Sequence, residues 1–413
     1  MRLPVAGAAD EGVSMAAETG DSAETAAFQH ALRTLLETEL PAGLAARTIQ
    51  GYHPTRKDVA VWQKILAHRG WGAPMWPVDF GGTGWSIRRQ HEFEEACFLA
   101  GAPPQHFQSL RLVAPVVYTF GGEAQRARFL PPILNGDDFW AQGFSEPGAG
   151  SDLAALRTRA TRDGSDWVIN GQKLWTSDAQ FADWMILLAR TDMDRRPQQG
   201  MSFFAVRMDA PGVTVRPVPA IDGAASLNEV FLEDVRVADE DLLGAENGGW
   251  DHARFLLAHE RANTAEIPRL KRAVARTKAL ARRARAAEGR PLAEEPSFAF
   301  RLAEVAVDLM ALQATVWRVI EEEEAGVAAP TTSSVLKIRG SELLQRINLL
   351  QIEALGEDAL PFYPAPEDRT GPLPGPADAA GVTADLLYRR AATIFGGSNE
   401  IQRNLIARNL LKG

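Results

Sequence analysis

The sequence contains a single cysteine, Cys97, among its 413 residues. One cysteine can form neither an internal disulfide nor a cluster of thiolate metal ligands. The seven histidines are scattered along the chain. His252 and His259 share a predicted helix, but no carboxylate or third histidine completes a set of zinc ligands around them. We therefore expect no metal site.

A net positive charge is also absent: 53 acidic residues outnumber 44 lysines and arginines, which gives a formal net charge of −9. Proteins that bind nucleic acids usually carry a basic surface, so this class is disfavoured. No apolar run approaches the roughly 20 residues that cross a bilayer. The first residues also lack the basic stretch and apolar run of a signal peptide. We expect a cytoplasmic protein with no membrane span and no nucleic-acid partner.

The common glycine-rich nucleotide motifs are incomplete as well. Gly148 and Gly150 lack the third glycine of the dinucleotide-binding fingerprint of Rossmann folds. The run Gly81–Gly84 is not followed by the Lys-Ser or Lys-Thr pair of a phosphate-binding P-loop. These absences exclude two widespread ways of binding a nucleotide.

The apolar pattern changes twice along the chain, and these changes predict its domains. Residues 1–22 are small and acidic without an apolar period, which predicts a disordered tail. Residues 23–139 repeat apolar side chains at helical spacing. Residues 140–242 contain short apolar runs between turn signals, which predict strands. Helical spacing returns over residues 243–413.

Two local predictions follow from this pattern. Asn170-Gly171 separates the strand-like runs Trp167–Ile169 and Lys173–Thr176, which predicts a hairpin with a type I′ turn. Short strands of this kind predict a small β-barrel or sandwich. Residues 250–288 predict one long helix that is interrupted near Pro268.

Three segments give the sequence a recognisable character: Gln142–Asp152 (QGFSEPGAGSD), Asn170–Ser177 (NGQKLWTS) and Ile394–Arg403 (IFGGSNEIQR). They resemble signature motifs of the acyl-CoA dehydrogenase family, in the same order and spacing, and the resemblance extends over about residues 25–411. It implies an α+β fold with an N-terminal α-helical domain, a middle β-barrel domain and a C-terminal four-helix bundle.

The resemblance also implies that FAD is the cofactor. By this resemblance Trp175 lies against the flavin and the Ser177 hydroxyl reaches its N5 edge. Glycines beside Ser145 would let backbone donors approach the ring, because they have no side chain to intrude. An ordinary turn and hairpin with a buried tryptophan is the alternative. The full set of implied cofactor contacts is Gln142, Ser145, Gly150, Ser151, Trp175, Ser177, Arg285, Ser398 and Glu400.

The position that carries the catalytic base in many family members is here Gly396. A minority of the family carries the base on the first long C-terminal helix, immediately before an arginine, and Glu260-Arg261 matches that pattern. The resemblance thus implies that Glu260 removes the α-proton of an acyl-CoA while the β-hydride passes to flavin N5, which yields the trans-2-enoyl-CoA. Gly396 would keep a backbone N–H for the thioester oxygen. Ser151 and Arg261 would contact the substrate.

The chain departs from the family in the motif that binds FAD of a neighbouring subunit. Arg285 and Gly289 remain there, but the expected aromatic residue is replaced by Glu288. Four further runs, Trp76-Pro77, Gly81–Trp85, Val235–Val237 and Gly397–Glu400, resemble the large subunit of pimeloyl-CoA-type dehydrogenases and actinobacterial enzymes of steroid side-chain degradation. Those enzymes often pair unlike subunits. We expect a homo- or heterotetramer with a similar chain, and an electron-transfer flavoprotein as electron acceptor.

Two other functions are compatible with the same fold. A flavin monooxygenase would consume oxygen and hydroxylate its substrate, and Glu260 argues against it because such enzymes lack the dehydrogenase base. A non-catalytic partner subunit is favoured by the altered C-terminal motif and disfavoured by Glu260.

Overall fold

The structure is a computed structural model that describes residues 22–258, 265–286, 289–327, 330–365 and 368–411. By its backbone contacts the chain divides after Leu40. The first unit contributes the helix α1 (Ser22–Thr38), and all other elements belong to the second unit. The predicted disordered tail falls on residues 1–21, which lie outside the described residues, and on Ser22, where α1 begins.

Helices continue up to residue 135. Thr55 caps the helix α3 with a capping box. Its side chain accepts from the Asp58 N–H, and the Asp58 carboxylate accepts from the Thr55 N–H. Gly101 and Gly136 end two others in the left-handed conformation that glycine tolerates. A π-helical turn at Gln108–Val113 leads into α5. The bounds are α2 (Ala42–Gln50), α3 (Arg56–His68), α4 (Ile87–Ala100), α5 (Ala114–Phe120) and α6 (Glu123–Asn135).

A single mixed sheet follows. Its strands are β1 (Trp140–Gly143), β2 (Arg159–Asp163), β3 (Asp166–Lys173), β4 (Trp184–Arg190), β5 (Met201–Arg207), β6 (Val213–Val218), β7 (Leu227–Ala238) and β8 (Leu242–Leu243). They pair in the order β6-β7-β3-β2-β4-β5-β8, and β1 runs parallel to β4. Among the described residues β6 and β8 do not pair, so the sheet is an open path and the predicted barrel is not closed.

The hairpin predicted at Asn170-Gly171 is wrong. Strand β3 runs straight through both residues, and the chain turns at Gly164 between β2 and β3 instead. Asn170 exchanges two hydrogen bonds of 2.9 Å with Asp234 of β7, beside a bulge in the pairing. A Cβ at position 171 would lie 2.7 Å from the Cα of Thr158. Gly171 therefore permits a close backbone approach rather than a turn.

Strand β4 is buried along its whole length because both of its faces are covered. On one face Ile186 and Leu188 join a core with Leu130 of α6 and Val116 of α5. On the other face Leu187 belongs to a second core built by the sheet itself. Burial on both faces explains why this strand is apolar without alternation.

The C-terminal part is helical, with α7 (Gly249–Ala258), α8 (Ile267–Arg283), α9 (Pro296–Glu324), α10 (Pro330–Leu355), α11 (Val382–Arg389) and α12 (Asn399–Leu411). The helix predicted over residues 250–288 is interrupted near Pro268 as expected, because α8 begins at Ile267 after a left-handed residue. Pro268 lies in the first turn of α8, where proline fits well. Helices α8, α9 and α10 share one core, which includes Leu270, Val305 and Leu344.

The order of helices, sheet and helices confirms the predicted fold class at this level. The four-helix form of the C-terminal bundle stays a prediction. No described helix is both long and apolar enough to cross a membrane.

Candidate active site

A buried ion pair anchors the first two sequence motifs to each other. The Lys173 side chain has no exposed surface, and its Nζ donates to Glu146 Oε1 at 2.8 Å. The same Nζ donates to the carbonyl oxygens of Phe144 (3.1 Å) and Leu188 (2.8 Å). Burial lowers the pKa of Lys173 to about 8, while the charge of Glu146 opposes that fall. Every hydrogen of this ammonium group thus has an acceptor.

Glu146 is held from a second side. Its carboxylate accepts from the backbone N–H groups of Arg157 (2.6 Å) and Thr158 (2.9 Å). Burial raises the pKa of Glu146, but the Lys173 charge and these hydrogen bonds outweigh it, so the pKa lies below its usual value. An ionised carboxylate therefore fixes the turn that follows Ser145 to β3 and to the residues just before β2.

The backbone after Lys173 is clamped along its length. The Leu174 N–H donates to the Ser145 oxygen at 2.8 Å. The Thr176 N–H donates to the Asn228 oxygen at 3.0 Å, and the Asn228 amide returns a bond to the Thr176 oxygen. The Asp178 N–H donates to the Ser226 oxygen at 2.7 Å. Ser145, Trp175 and Ser177 are thereby brought together on one rigid support.

Trp175 stands out on this support. It adopts a left-handed conformation with φ of +61°, which is rare for a bulky residue, and 56% of its surface is exposed. Such strain concentrates at functional sites, where surrounding bonds hold it in place. The neighbouring Ser177 is half-buried, as are Ser145 and Gln142. An exposed indole beside partly buried polar groups suits a flat aromatic cofactor such as a flavin.

Gly150 and Ser151 lie in the exposed part of the turn that follows Glu146. No hydrogen bond or ion pair among the described residues joins either of them to Ser177. Because they are exposed, they are free to contact a bound molecule. The predicted cofactor and substrate contacts of these two residues stay predictions.

Asp178 interacts with His53 and Tyr388 near Ser177, although the sequence did not predict these three as site residues. Asp178, also left-handed with φ of +55°, lies 3.5 Å from His53 Nε2. Tyr388 of α11 has a pKa raised by burial and also by the charges of Asp178 and Glu266, while Arg389 lowers it. The segment after Ser177 therefore faces the C-terminal helices. No motif signals these residues, because they are distant in the sequence.

The third motif forms an exposed turn before α12. Gly396 and Gly397 are both left-handed, with φ of +65° and +78°. The Ser398 hydroxyl accepts from the Ile401 N–H at 3.3 Å and caps the helix. Glu400 is exposed, and its pKa is lowered by its own backbone N–H and by the Ser398 hydroxyl. Two adjacent left-handed glycines explain why no side chain occupies position 396.

One turn of α10 supports this motif and the start of α8 together. Lys337 Nζ donates to Asn399 Oδ1 at 2.9 Å, and Asn399 Nδ2 donates to Ser341 Oγ at 3.2 Å. Between Lys337 and Ser341 on the same helix, Gly340 packs closely on Ala265. A Cβ at position 340 would lie 2.8 Å from the Ala265 Cα. The helix α10 therefore contacts both the residue that follows the Gly396–Ser398 turn and the residues just before α8.

Glu260 and Arg261 lie outside the described residues, so their predicted roles are untested. Described structure resumes at Ala265. Arg285 is exposed, and its Nη1 donates to the backbone oxygens of Arg282 (3.0 Å) and Ala284 (3.4 Å). Among the described residues no hydrogen bond or ion pair joins Arg285 to the other predicted contacts. Glu288 also lies outside the described residues.

Comparison with known families decides what this arrangement is. Models of the acyl-CoA dehydrogenase N-terminal, middle and C-terminal domains match residues 22–137, 141–235 and 247–411. The chain belongs to the acyl-CoA dehydrogenase family. It is thus an oxidoreductase of a flavoprotein family, as the three sequence motifs predict. No group of described histidine, cysteine, aspartate and glutamate side chains could hold a metal ion.

Individual acyl-CoA dehydrogenases are similar to this one over nearly their whole length. Acyl-CoA dehydrogenase IpdE1 of Mycobacterium tuberculosis is 34% identical over 361 residues, which span 87% of this chain and 89% of that protein. The solved "Tcur3481-Tcur3483 steroid ACAD" has a TM-score of 0.81 at 29% identity and covers 95% of this chain and 98% of its own. The ChsE4-ChsE5 complex from Mycobacterium tuberculosis has a TM-score of 0.79 at 29% identity, with coverage of 96% and 99%.

Proposed function

We propose that this acyl-CoA dehydrogenase uses FAD to convert an acyl-CoA thioester into its trans-2-enoyl-CoA, with Glu260 as the base. The observation that carries the proposal is the strained, exposed Trp175 beside Ser177, held by the buried Lys173–Glu146 pair. Strain of this kind persists only where surrounding bonds impose it. Family membership supplies the reaction class, and this support supplies the surface for the cofactor.

The residues present fit a flavin. Trp175 offers a flat apolar face, and Ser145 and Ser177 are half-buried residues on the same support. When bound there, FAD would accept the hydride that leaves the β-carbon of the substrate. Further contacts with the cofactor are proposed for Gln142, Gly150, Ser151, Arg285, Ser398 and Glu400.

Glu260 takes the α-proton in this proposal. Position 396 cannot supply a base, since glycine has no side chain and its left-handed turn disfavours one. Glu260 precedes Ala265 by five residues, and Ala265 packs on the same turn of α10 that holds Asn399. The Gly396 N–H would donate to the thioester oxygen and stabilise the charge that develops there. Arg261 and Ser151 would bind other parts of the acyl-CoA.

The substrate and partners are proposed from the relatives. A steroid acyl-CoA dehydrogenase and a two-protein complex are among the similar structures. We therefore favour an acyl group from fatty acid or steroid side-chain catabolism, and a tetramer that can include a second, similar chain. An electron-transfer flavoprotein would receive the electrons.

Replacing Glu260 tests the base directly. Glu260→Gln should retain the fold and the flavin but lose at least about 100-fold in turnover, because general-base catalysis contributes about 10²–10⁴-fold. Anaerobic bleaching of flavin absorbance by a panel of straight-chain, branched and steroid-side-chain acyl-CoAs measures the step. Glu304→Gln, an exposed carboxylate of α9, is the control and should leave turnover unchanged.

Three results would contradict the proposal. Turnover of Glu260→Gln within about threefold of the wild type would mean that the base lies elsewhere. A protein that cannot be reconstituted with FAD, alone or with a partner chain, would exclude the enzyme. Stoichiometric oxygen consumption with a hydroxylated product would indicate a monooxygenase instead.

A further inference from the structure

The helix α12 begins directly after the Gly396 turn, and apolar burial does little to fix its place. All residues of α12 are described, and Asn399 at its start is the only one that is fully buried. Leu405, Leu410 and Leu411 of the same helix are between 41% and 86% exposed. Most helices of folded proteins are held by a buried apolar face. Polar contacts must therefore hold the start of α12 and the turn before it.

The helix α10 supplies such contacts along one of its faces. Ser334, Lys337 and Ser341 are spaced by three and four residues, so their side chains share one side of the helix. All three are buried. Lys337 Nζ donates to Asn399 Oδ1 at 2.9 Å, and Asn399 Nδ2 donates to Ser341 Oγ at 3.2 Å. The first residue of α12 is thus bonded to α10 from two positions.

A second contact reaches the turn itself. Ser334 Oγ donates to Gln402 Oε1 at 2.8 Å, and Gln402 Nε2 lies 3.5 Å from the Gly397 oxygen. A Cβ at position 397 would lie 2.8 Å from that same nitrogen, so the Gln402 amide packs directly on the left-handed backbone of Gly397. The turn is therefore connected to α10 at two points, through Asn399 and through Gln402.

Lys337 is the charged member of this face. Its residue is 8% exposed, and a hydrogen bond from a charged donor is stronger than one between neutral groups. Burial lowers the pKa of Lys337, while the charge of Glu400 opposes that fall. Lys337 thus acts on the two residues that follow Ser398, on Asn399 by a hydrogen bond and on Glu400 by its charge.

We propose that Lys337 is a positioning residue that, through Asn399, holds the turn of residues 396–400 in place for the thioester and the flavin. The inference rests on the proposed function, in which the Gly396 N–H meets the thioester oxygen and Ser398 and Glu400 contact FAD. A backbone donor stabilises a developing charge best when its direction is fixed in advance. Two adjacent glycines have unusual conformational freedom, so neighbouring contacts have to impose that direction.

Hydrogen exchange of the full-length holoprotein at saturating FAD tests the anchor without substrate. Lys337→Met removes the ammonium group but keeps an unbranched side chain. Exchange over residues 395–403 should become at least about tenfold faster, because a hydrogen bond from a charged donor contributes that much to keeping a segment closed. Gln402→Ala removes the second contact at a half-buried residue and should have the same local effect. This second variant keeps the test decisive if Lys337→Met fails to fold.

Flavin binding and turnover test what the anchor is for. FAD should bind Lys337→Met about tenfold more weakly, since the contacts of Ser398 and Glu400 would be displaced. With an acyl-CoA that the wild type oxidises, kcat should fall by about 10- to 100-fold while KM changes by less than about threefold. This split is expected because the Gly396 N–H would bind the thioester oxygen most strongly in the transition state.

Two further variants serve as controls. Asn399→Asp still offers an acceptor to Lys337, so its kcat should stay within about threefold of the wild type. Asn409 also joins α12 to α10, with its Nδ2 donating to Thr331 Oγ1 at 3.3 Å, but it lies ten residues beyond Asn399. Asn409→Ala should therefore leave the exchange over residues 395–403, the FAD affinity and kcat unchanged.

Three results for Lys337→Met would overturn the inference. The first is local exchange, FAD affinity and kcat that all stay at wild-type values. The second is exchange that rises equally across the whole chain, because Lys337 would then only stabilise the fold. The third is a loss of turnover with unchanged local exchange, because the turn would still be in place. A wild type that binds FAD but oxidises no acyl-CoA would remove the proposed function, while the exchange and FAD measurements would still decide the role of Lys337.

Discussion

At the scale of single residues, the candidate site depends on a lysine without exposed surface. Lys173→Met should lower the free energy of unfolding by about 3–5 kcal/mol, because it leaves the buried Glu146 carboxylate without its cation. Flavin affinity should fall as well, since Ser145 and Trp175 share that support. Equilibrium denaturation and flavin titration measure both effects. Lys64→Met removes an exposed pair of 2.9 Å with Asp137 and should cost at most about 1 kcal/mol.

The cost of Lys173→Met should also depend on pH in a definite direction. The pKa of Glu146 lies below its unfolded value, so the folded state is stabilised by this carboxylate above the usual glutamate range. That stabilisation is lost as the pH falls through the lowered pKa. The difference in unfolding free energy between wild type and Lys173→Met should therefore become smaller as the pH falls. A difference that stays constant down to the acid transition would mean that Glu146 is not the partner that matters.

The same scale shows how far the sequence could predict the site. Ser145, Trp175 and Ser177 were predicted because they belong to recognisable contiguous motifs, and the structure brings them together. The motifs also contain Glu146 and Lys173, but the letters alone do not reveal that these two side chains pair across 27 positions. Glu266 and Arg389 are 123 positions apart and belong to no motif, so only the fold could bring them together.

At the scale of secondary structure, α10 is the element on which both sides of the site depend. Gly340→Ala would place a Cβ 2.8 Å from backbone atoms of Ala265, which cannot move aside as a flexible side chain can. We expect a loss of about 1–3 kcal/mol in unfolding free energy, as for overpacking of a core. Turnover should fall too, because Ala265 leads into α8 beside the base-bearing segment.

Gly43→Ala is the matched control for that change. Gly43 also lies in a helix, α2, but a Cβ there would meet nothing within 4 Å. Alanine is the better helix former, so the control should be unchanged or more stable by up to about 1 kcal/mol. Denaturant unfolding of both variants measures the contrast. Equal effects of the two substitutions would show that the Gly340–Ala265 contact is not tight in solution.

Secondary structure was predicted well where a strong period decided it and poorly where tertiary contacts did. The helices α4, α6 and α9 follow apolar periods of their own. Asn170-Gly171 has the letters of a hairpin turn, yet Asp234 and Thr158 hold it inside a strand. The break before α8 lies at Glu266, two residues ahead of Pro268, where the left-handed glutamate pairs with Arg389 from 123 positions away.

At the scale of the whole molecule, the succession of helical, sheet and helical parts was predictable because each part has its own apolar period. Closure of the sheet was not, since whether β6 and β8 meet depends on strand pairing over long distances in the chain. Association with other subunits can be predicted neither from the apolar periods nor from the strand pairing. Yet Phe300, Val307 and Met310 lie exposed on one face of α9, each more than 60% accessible. Contiguous exposed apolar side chains of this kind mark protein interfaces.

The oligomeric assembly of the protein can also be predicted from its sequence. Glu288 stands where the family carries an aromatic contact with FAD of the neighbouring subunit, and a carboxylate there would repel the cofactor's diphosphate. Arg285, from the same motif, donates instead to backbone oxygens of its own chain. We therefore expect that this chain alone does not build a complete homotetrameric flavin site, and that a similar chain with an intact motif supplies the missing contacts in a heterotetramer of two unlike pairs. Size-exclusion chromatography with light scattering, with and without a co-expressed neighbouring chain, measures this.

A charged substitution on the apolar face of α9 sharpens that experiment. Met310→Glu, at a residue 70% exposed in the single chain, should weaken the assembly without unfolding the helix. Val78→Glu, at a residue 64% exposed outside the C-terminal helices, should leave it intact. A burial-dependent interface predicts this difference, because a charge forced into an apolar contact must lose its hydration. If the chain alone forms a stable tetramer with one FAD per subunit and full activity, the hetero-assembly is wrong. The dehydrogenase assignment would survive, because it rests on the site within each chain.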